Sequence, residues 1–295
     1  MFSAEAQNQF FESVLFEATG WEHQIVDMQF LHGGCINNAV KLHTNHDKYF
    51  LKFNESASAY DMFEAEMRGL QLLAETGALT TPRVIHAGKQ QGRSYLLLEF
   101  FEPTLPQSNY WEQLGHGIAH LHRHRQQQFG LAFNNYIGSL PQNNEWMSDG
   151  IEFFIEKRLR VQAGLAYYNN LIDASLLKQL DDLYYKLPNL IPNTSASLLH
   201  GDLWGGNIIT GHRGEPCLID PAVYFGFREA EIAYTQLFGG FEQRFYDAYR
   251  EVMPLESGFR ERVPLYNLYP LLVHLNLFGE SYLSGIRQTL RRFLD

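Results

Sequence analysis

Cysteine is almost absent from this sequence, and so are blocks of positive charge and long apolar runs. The 295 residues include only two cysteines, Cys35 and Cys217. That number excludes a disulfide framework and indicates a reducing, cytoplasmic setting. The net charge is −10 with no polybasic block, so we expect neither a nucleic-acid partner nor an anionic-membrane surface.

Segments that would insert into a membrane are also missing from the sequence. The most apolar late stretch, residues 268–278, contains Pro270 and is shorter than the roughly 20 residues that a spanning helix needs. The first residues carry Glu5 and Glu12 and no long apolar run, so we expect no signal peptide. The 45% hydrophobic content is enough for one large domain or two lobes.

The pattern of apolar residues changes about one third of the way along the chain. The first part predicts one helix, residues 64–75 ending at Gly77, and an antiparallel sheet of strands at 25–31, 39–43, 49–53, 84–87 and 94–100. After Glu102-Pro103 the spacing favours helices at 111–125, 150–166, 174–187, 229–238 and 263–282. We therefore predict an α+β chain of two lobes, residues 1–101 and residues 102–295.

The most informative motif combines Asp202, Asn207 five residues later, and Asp220 after a short apolar run. Phosphoryl transfer needs one carboxylate to orient the attacking hydroxyl and two oxygen ligands to hold magnesium. Protein kinases have the same aspartate-to-asparagine spacing in their H-R-D-x-x-x-x-N loop. The motif predicts Asp202 as the base and Asn207 and Asp220 as metal ligands, with the nucleotide between the two lobes.

The residues between the last two members of the motif have the pattern of a β-hairpin. Residues 208–210 and 217–219 are candidate strands around a polar turn. A hairpin brings its ends together, so Asn207 should face Asp220 across one cation. An ordinary hairpin with polar flanks is the alternative, and the remaining features of the chain argue against it.

Lys52 lies inside the apolar strand 49–53, where a buried ammonium group needs a partner. In protein kinases a strand lysine pairs with a helix glutamate and contacts nucleotide phosphates. Glu64 and Glu66 are the candidates, and we favour Glu66 because the apolar face of the helix follows it at helical spacing. The alternative is a solvent-exposed lysine opposite a solvated helix face.

Gly33 and Gly34 lie between the first two predicted strands, where glycine lets the backbone approach phosphates. Most such pairs are simple hairpin turns, which is the competing interpretation. Cys35 follows them and is a candidate redox-sensitive thiol, although a small packing residue is the favoured interpretation.

The chain has several histidines in one predicted helix and a tryptophan close to the proposed base. His116, His120 and His124 share one face of a predicted helix, but no cysteine or carboxylate joins them at metal-ligand spacing. We therefore interpret them, with His122 beside them, as a solvated polar face. Trp204 lies between the proposed base and Asn207, where an indole ring would line the acceptor pocket.

The segment His200–Asn207 resembles the catalytic loop of the fructosamine kinase (ketosamine-3-kinase) family, in which the tryptophan distinguishes it from aminoglycoside and choline kinases. The resemblance runs from about residue 25 to residue 282. Other similar segments are 33–37, 63–66, 135–139 with Gln142 and Asn144, 153–154 with Arg158-Leu159, 220–226, Arg228-Glu229 and 237–241.

The resemblance implies a bilobal protein-kinase-like fold and ATP- and Mg²⁺-dependent phosphorylation of the 3-hydroxyl of ketoamine sugars, which leads to deglycation of amines. It implies a small-molecule or protein-bound ketoamine as substrate, and we expect the protein to be cytoplasmic and either a monomer or a homodimer. Its site residues would be Asp202, Lys52 and Glu66 for catalysis and Asn207 and Asp220 for magnesium. Trp204 and His274 would lie on the substrate side, and the nucleotide would contact Gly33, Gly34, Cys35, Asn37, Lys52, Leu98, Glu99 and Phe100.

Two residues depart from the family pattern, Phe227 and Leu277, each at a place where a histidine is expected. Both lie in the substrate-side half, so they concern the choice of sugar or amine. Two alternatives stay open: a kinase for another small hydroxyl compound, such as an aminoglycoside or choline, and a catalytically silent nucleotide-binding regulator. Retention of the whole catalytic set argues against the second.

Overall fold

The computed structural model describes residues 4–31 and 37–294. Contacts group the chain into two compact units. The first unit contains Met1–Gln107 and Ile209–Asp220, and the second contains Ser108–Ile208 and Pro221–Asp295. The lobe boundary after residue 101 stays a prediction.

The first unit is built on a five-stranded antiparallel sheet. Its elements are α1 (Ala4–Thr19), β1 (Ile25–Leu31), β2 (Asn38–Thr44), β3 (Lys48–Asn54), α2 (Ala59–Thr76), β4 (Val84–Gln90) and β5 (Arg93–Glu99). The strand order is β1-β2-β3-β5-β4, which places Lys52 of β3 opposite Ala39 of β2 and Leu96 of β5. All five predicted strands are confirmed within a few residues.

Successive side chains of a strand point to opposite faces of the sheet. Both faces of this sheet are buried, one against α1 and the other against α2. Leu51 and Phe53 of β3 pack with α1 residues such as Phe10 and Phe11 on one face. Leu96 and Leu98 pack with α2 residues on the other face. Gly77 ends α2 in a left-handed conformation with φ of 62°, as the sequence predicted, but α1 is a helix that the prediction missed.

The second unit is mainly helical. Its elements are α3 (Tyr110–His122), β6 (Arg125–Gln126), β7 (Asn135–Ile137), β8 (Leu140–Gln142), α4 (Gly150–Phe154), a π-helical turn (Ile155–Leu159), α5 (Arg160–Tyr168), α6 (Ala174–Tyr184), α7 (Leu187–Leu190), β9 (Ala196–Leu199), β12 (Tyr224–Gly226), α8 (Arg228–Tyr234), α9 (Gln243–Val252), α10 (Phe259–Tyr266), α11 (Leu268–Phe278) and α12 (Leu283–Leu294). Between β9 and β12 the chain forms the hairpin of β10 (Ile208–Thr210) and β11 (Pro216–Leu218), which belongs to the first unit from Ile209 onward. The α+β prediction is confirmed.

The helix predictions for the second unit were incomplete, and α12 is among the helices that were not predicted. The predicted helix 263–282 is interrupted, because α10 ends before Asn267 and α11 ends before Gly279, which has φ of 91°. The amphipathic helix α9 was not predicted, although it buries Phe245 and Tyr249. Within residues 4–31 and 37–294, no helix is long and apolar enough to cross a membrane.

Candidate active site

Lys52 forms the centre of an ion-pair triad in the first unit. Its Nζ donates to Glu66 Oε1 at 2.8 Å and to Asp220 Oδ1 at 2.6 Å. Strand β3 supplies the lysine, helix α2 the glutamate, and the end of the β10–β11 hairpin supplies the aspartate. The partner on the helix is thus Glu66, the residue that the sequence favoured over Glu64.

The electrostatics of this triad keep the lysine charged. The Lys52 side chain is only 9% exposed, and burial lowers the pKa of an ammonium group. The charges and hydrogen bonds of Asp220 and Glu66 outweigh that effect, so the pKa of Lys52 is raised. Burial also raises the pKa of Glu66, against the opposing effect of Lys52.

Asp220 has an uncommon backbone conformation. Its φ is 54°, in the left-handed region that non-glycine residues seldom adopt and that is found more often at functional sites. Its side chain is 43% exposed, so the carboxylate reaches solvent while one oxygen accepts from Lys52. An exposed oxygen ligand beside a fixed cation suits a phosphate–metal site.

The predicted nucleotide-contacting residues have different surroundings. Leu98 is buried in the sheet core, and Lys41 Nζ lies 4.4 Å from the centroid of the Phe100 ring. The Glu99 carboxylate contacts His212 Nε2 at 3.2 Å, and the Glu99 amide donates to the Arg83 carbonyl. Asn37 Oδ1 accepts from Asn54 at 2.9 Å. Gly33, Gly34 and Cys35 lie outside the described residues.

The second unit contains the proposed base, Asp202, in a short loop after β9. Tyr234 Oη donates to Asp202 Oδ1 at 2.9 Å. Asn207 Nδ2 donates to Asp202 Oδ2 at 2.8 Å and to the Asp202 carbonyl at 2.9 Å. Both carboxylate oxygens therefore have a donor, and the orientation of the carboxylate is set by two separate elements.

Burial raises the pKa of Asp202 above that of an ordinary aspartate. The charge of His200, the hydrogen bonds from Tyr234 and Asn207, and the charge of His274 act in the opposite direction but do not cancel it. A general base gains proton affinity when its pKa is raised. The surroundings of Asp202 are thus suited to accepting a proton.

The backbone before Asp202 is held by a buried glutamate of α8. Glu231 Oε1 accepts from the Gly201 amide at 2.7 Å and Glu231 Oε2 accepts from the His200 amide at 3.2 Å. Glu231 Oε2 also accepts from His122 Nε2 at 2.9 Å. His122 is fully buried, so the interpretation of this residue as part of a solvated face was wrong.

Position 201 requires glycine, because the backbone of Ala222 lies very close to it. Its φ is 85°, and a Cβ atom there would lie 2.0 Å from the Ala222 carbonyl oxygen. The Ala222 amide in turn donates to the His200 carbonyl at 2.9 Å. A side chain at this position would push the catalytic loop away from the segment that follows Asp220 in sequence.

Several segments that carry the sequence resemblance form one buried polar network. Asn135 Nδ2 donates to the Val223 carbonyl at 2.7 Å, and Gln142 Nε2 donates to Asn135 Oδ1 at 2.8 Å. Arg158 is fully buried and donates to Asn144 Oδ1 at 2.6 Å. These residues support the segment after β11 rather than contacting Asp202.

Trp204 belongs to a group of rings in the second unit that we call the aromatic cluster: Trp204, Tyr234, Phe238, His274, Phe278 and Tyr282. Trp204 is 39% exposed, Phe238 is 40% exposed and Phe278 is 50% exposed. The indole folds over Gly206, where a Cβ would lie 2.2 Å from the ring. The cluster is therefore an open apolar surface beside Asp202.

His274 is a neutral member of this cluster. Its Nδ1–H donates to the Pro270 carbonyl at 2.7 Å, which leaves Nε2 as an acceptor. Burial lowers the pKa of His274, against the raising effects of the Pro270 carbonyl and Asp202. Phe227, one of the two departures from the family pattern, is buried against Phe129 with ring centroids 4.9 Å apart.

The donor sets fit a magnesium–nucleotide complex. Asn207 uses its amide nitrogen on Asp202, and no hydrogen bond to its Oδ1 is present within the described parts of the chain. An amide oxygen and an exposed carboxylate are hard ligands of the type that Mg²⁺ takes, with phosphate oxygens and water completing its coordination. No group of three acidic, histidine or cysteine residues in those parts would hold a metal ion alone.

Asn207 lies in the second unit and Asp220 in the first, and their convergence on one cation stays a prediction.

His116 pairs with Glu251 at 2.8 Å. Two residues around the proposed catalytic loop, Tyr234 and Glu231, were missed from the sequence, and a third, His122, was misinterpreted. The only sequence signal for them was helical spacing, which places Glu231 and Tyr234 on one side of α8.

The fold is that of kinase-like phosphotransferases. An aminoglycoside phosphotransferase, APH(4)-Ia, shares it with a TM-score of 0.65 at 16% identity over 96% of this chain and 98% of that chain. At that identity the similarity concerns the fold alone. The bilobal protein-kinase-like fold class predicted from the sequence is confirmed.

The chain belongs to the fructosamine kinase family. The family model described as "Fructosamine kinase" matches residues 7–295. The "Probable ketoamine kinase" of Synechocystis is 38% identical over 94% of each chain. The chloroplastic protein-ribulosamine 3-kinase of Arabidopsis thaliana is 38% identical over 92% of this chain and 83% of that protein. A crystal structure of the "Putative fructosamine-3-kinase" of Haemophilus somnus has a TM-score of 0.89 at 30% identity, covering 99% of this chain and all of that one.

Proposed function

We propose that this protein is an ATP-dependent kinase that phosphorylates the 3-hydroxyl of ketoamine sugars and so leads to deglycation of amines. The observation that carries this proposal is Asp202, a base with a raised pKa whose carboxylate oxygens are both held by donors. Membership of the fructosamine kinase family supports the choice of a ketoamine as acceptor.

Each residue of the site has a role that follows from its chemistry. Asp202 accepts the proton of the attacking 3-hydroxyl, so that the oxygen becomes a better nucleophile. Lys52, kept charged by Glu66 and Asp220, binds the nucleotide phosphates. The flat face of Trp204 packs against the C–H face of the sugar, and His274 Nε2 accepts a hydrogen bond from a sugar hydroxyl.

Asn207 and Asp220 supply the protein ligands of magnesium. When bound, the ion neutralises charge on the phosphate oxygens during transfer. Asn207 keeps its Nδ2 bonds to Asp202 while its Oδ1 serves as a ligand, so one side chain fixes both the base and the metal. The nucleotide also contacts residues 33–35 and 37 and the segment 98–100.

The test is ATP turnover by the purified protein against a panel of acceptors. The panel contains fructosyl-, ribulosyl- and erythrulosyl-amines, with an aminoglycoside and choline as controls. We expect turnover with at least one ketoamine, with a kcat/KM at least tenfold above that for either control. Greater activity on the aminoglycoside or choline would overturn the choice of acceptor, and absence of any turnover would favour a silent nucleotide-binding regulator. A cytoplasmic location and a monomeric or homodimeric state stay predictions.

A further inference from the structure

Tyr234 is the last residue of α8, and its side chain reaches the proposed base. Its hydroxyl donates to Asp202 Oδ1 at 2.9 Å, although the two residues are 32 positions apart in sequence. The residue is only 7% exposed. Asn207 holds the other carboxylate oxygen, so Tyr234 supplies the second of two restraints on the carboxylate plane.

The surroundings of Tyr234 hold its ring in one orientation. The ring lies 6.0 Å from Phe238 and 6.5 Å from His274 between centroids. Burial and the negative charge of Asp202 raise the pKa of Tyr234 well above its usual value. The hydroxyl therefore stays protonated and remains a hydrogen-bond donor over the pH range in which enzymes usually work.

The second unit offers a matched tyrosine that does not contact the base. Tyr269 is also 7% exposed, and both tyrosines line the same cavity of about 30 Å³. The Tyr269 hydroxyl donates to Gln142 Oε1 at 2.6 Å instead of to Asp202. Removing either hydroxyl thus costs one buried hydrogen bond, but only Tyr234 acts on the base.

We propose that Tyr234 is a positioning residue, whose hydroxyl holds the Asp202 carboxylate in the orientation that receives the acceptor's proton. The proposal rests on the proposed kinase function for its catalytic consequence. Without the hydroxyl, Asn207 alone restrains the carboxylate, which can then turn about its Cβ–Cγ bond. Such misplacement of a catalytic group lowers the rate of the chemical step more than it weakens binding.

The experiment compares Tyr234→Phe and Tyr269→Phe, each in the wild type and in an Asp202→Ala background. Turnover is followed with radiolabelled ATP and the best ketoamine of the panel. We expect Tyr234→Phe to lower kcat about tenfold in the wild type, with the KM values for ATP and ketoamine changed less than twofold. In the Asp202→Ala background the same substitution should change kcat less than twofold. Tyr269→Phe should leave the wild-type kcat within twofold.

A second measurement needs no substrate. Urea unfolding should show that Tyr234→Phe lowers the midpoint in the wild type, and leaves it unchanged or raises it in Asp202→Ala, where the hydroxyl has lost its acceptor. An equal effect of Tyr234→Phe in both backgrounds, on kcat or on the midpoint, would overturn the proposal. If the wild type phosphorylates no ketoamine, the proposed function is wrong, while the unfolding midpoints still decide whether Tyr234 acts on Asp202.

Discussion

At the scale of single residues, Asp202 shows how burial and neutral donors can suit a carboxylate to the proposed role of a base. Its oxygens accept from a phenol and an amide, Tyr234 and Asn207. These neutral donors orient the group but stabilise its charge less than an ion pair would. Burial consequently dominates and the pKa is raised, which favours proton transfer from the acceptor.

Replacing Asp202 by asparagine tests this role with little change in shape. The amide that this substitution introduces would accept no proton, so we expect Asp202→Asn to lower kcat by about 10²–10⁴-fold. ATP affinity, measured by isothermal titration calorimetry, should change little, because Lys52, Glu66 and Asp220 are untouched. The matched control is Asp182→Asn, since Asp182 forms an exposed pair with Lys178. A wild-type kcat in Asp202→Asn would remove Asp202 from the chemistry.

At the scale of elements, one short helix organises the catalytic loop. Helix α8 directs Glu231 to the amides of His200 and Gly201 and Tyr234 to the side chain of Asp202. Burial raises the pKa of Glu231, but the hydrogen bond and charge of His122, with the charge of His200 and the Gly201 amide, outweigh it and lower the pKa overall. An ionised Glu231 therefore stabilises the folded state.

The pH dependence of stability follows from that direction. A carboxylate whose pKa is lowered by folding stabilises the protein above its unfolded pKa, about 4.5 for Glu231, and this contribution is lost as the pH falls through the folded pKa. At pH 7 we expect Glu231→Gln to lower the free energy of unfolding by on the order of 2 kcal/mol. The difference from wild type should narrow as the pH falls below about 4.5, as measured by urea unfolding.

Glu251 provides the control for that experiment. Its side chain is 68% exposed and pairs with His116 at the surface, so Glu251→Gln should change stability little at any pH. A difference between Glu231→Gln and wild type that stays constant from pH 7 to acid would contradict the assignment of Glu231 as a buried carboxylate that is ionised in the folded state.

The elements also show which parts of the fold local sequence can predict. The strands of the first unit are short runs rich in apolar residues and bounded by turn residues, and Gly77 marks the end of α2, so both were predictable. The break at Asn267 within 263–282 was not predictable, because Asn267 donates to the Ala233 carbonyl, 34 positions away in sequence, whereas Gly279 was a local stop signal for the second break that was not used. A helix end stabilised by a distant carbonyl leaves little signal in its own residues.

At the scale of the whole molecule, the groups of the proposed site divide between the two units. The residues with a fixed spacing, Asp202, Asn207 and Asp220, were predictable because the chemistry dictates the residue types. His122 was misjudged because the residues around it in sequence are polar, whereas its partners in the fold, Glu231 and Tyr249, lie 109 and 127 positions away. Tyr234 was missed for the same reason: its contact with Asp202 depends on tertiary structure.

This division of roles predicts that substitutions in the first unit change the kinetic constants for ATP, and that substitutions in the second unit change those for the ketoamine. Glu66 in the first unit holds the lysine proposed to bind phosphate, so Glu66→Gln should raise the KM for ATP about fivefold and leave the ketoamine KM nearly unchanged. Trp204 in the second unit is 39% exposed beside the base, so Trp204→Ala should lower kcat/KM for the ketoamine about tenfold. ATP affinity should hardly change in that variant, because the lost contact is with the acceptor.

Tyr168→Ala is the control for loss of an exposed aromatic ring, since Tyr168 is 82% exposed and lies outside the aromatic cluster. It should leave both KM values at their wild-type level. Steady-state kinetics with each substrate varied in turn give kcat and the KM values for ATP and for the ketoamine in each variant. If Trp204→Ala raised the KM for ATP as much as that for the ketoamine, the indole would not be an acceptor-side group, and the division of substrates between the units would be wrong.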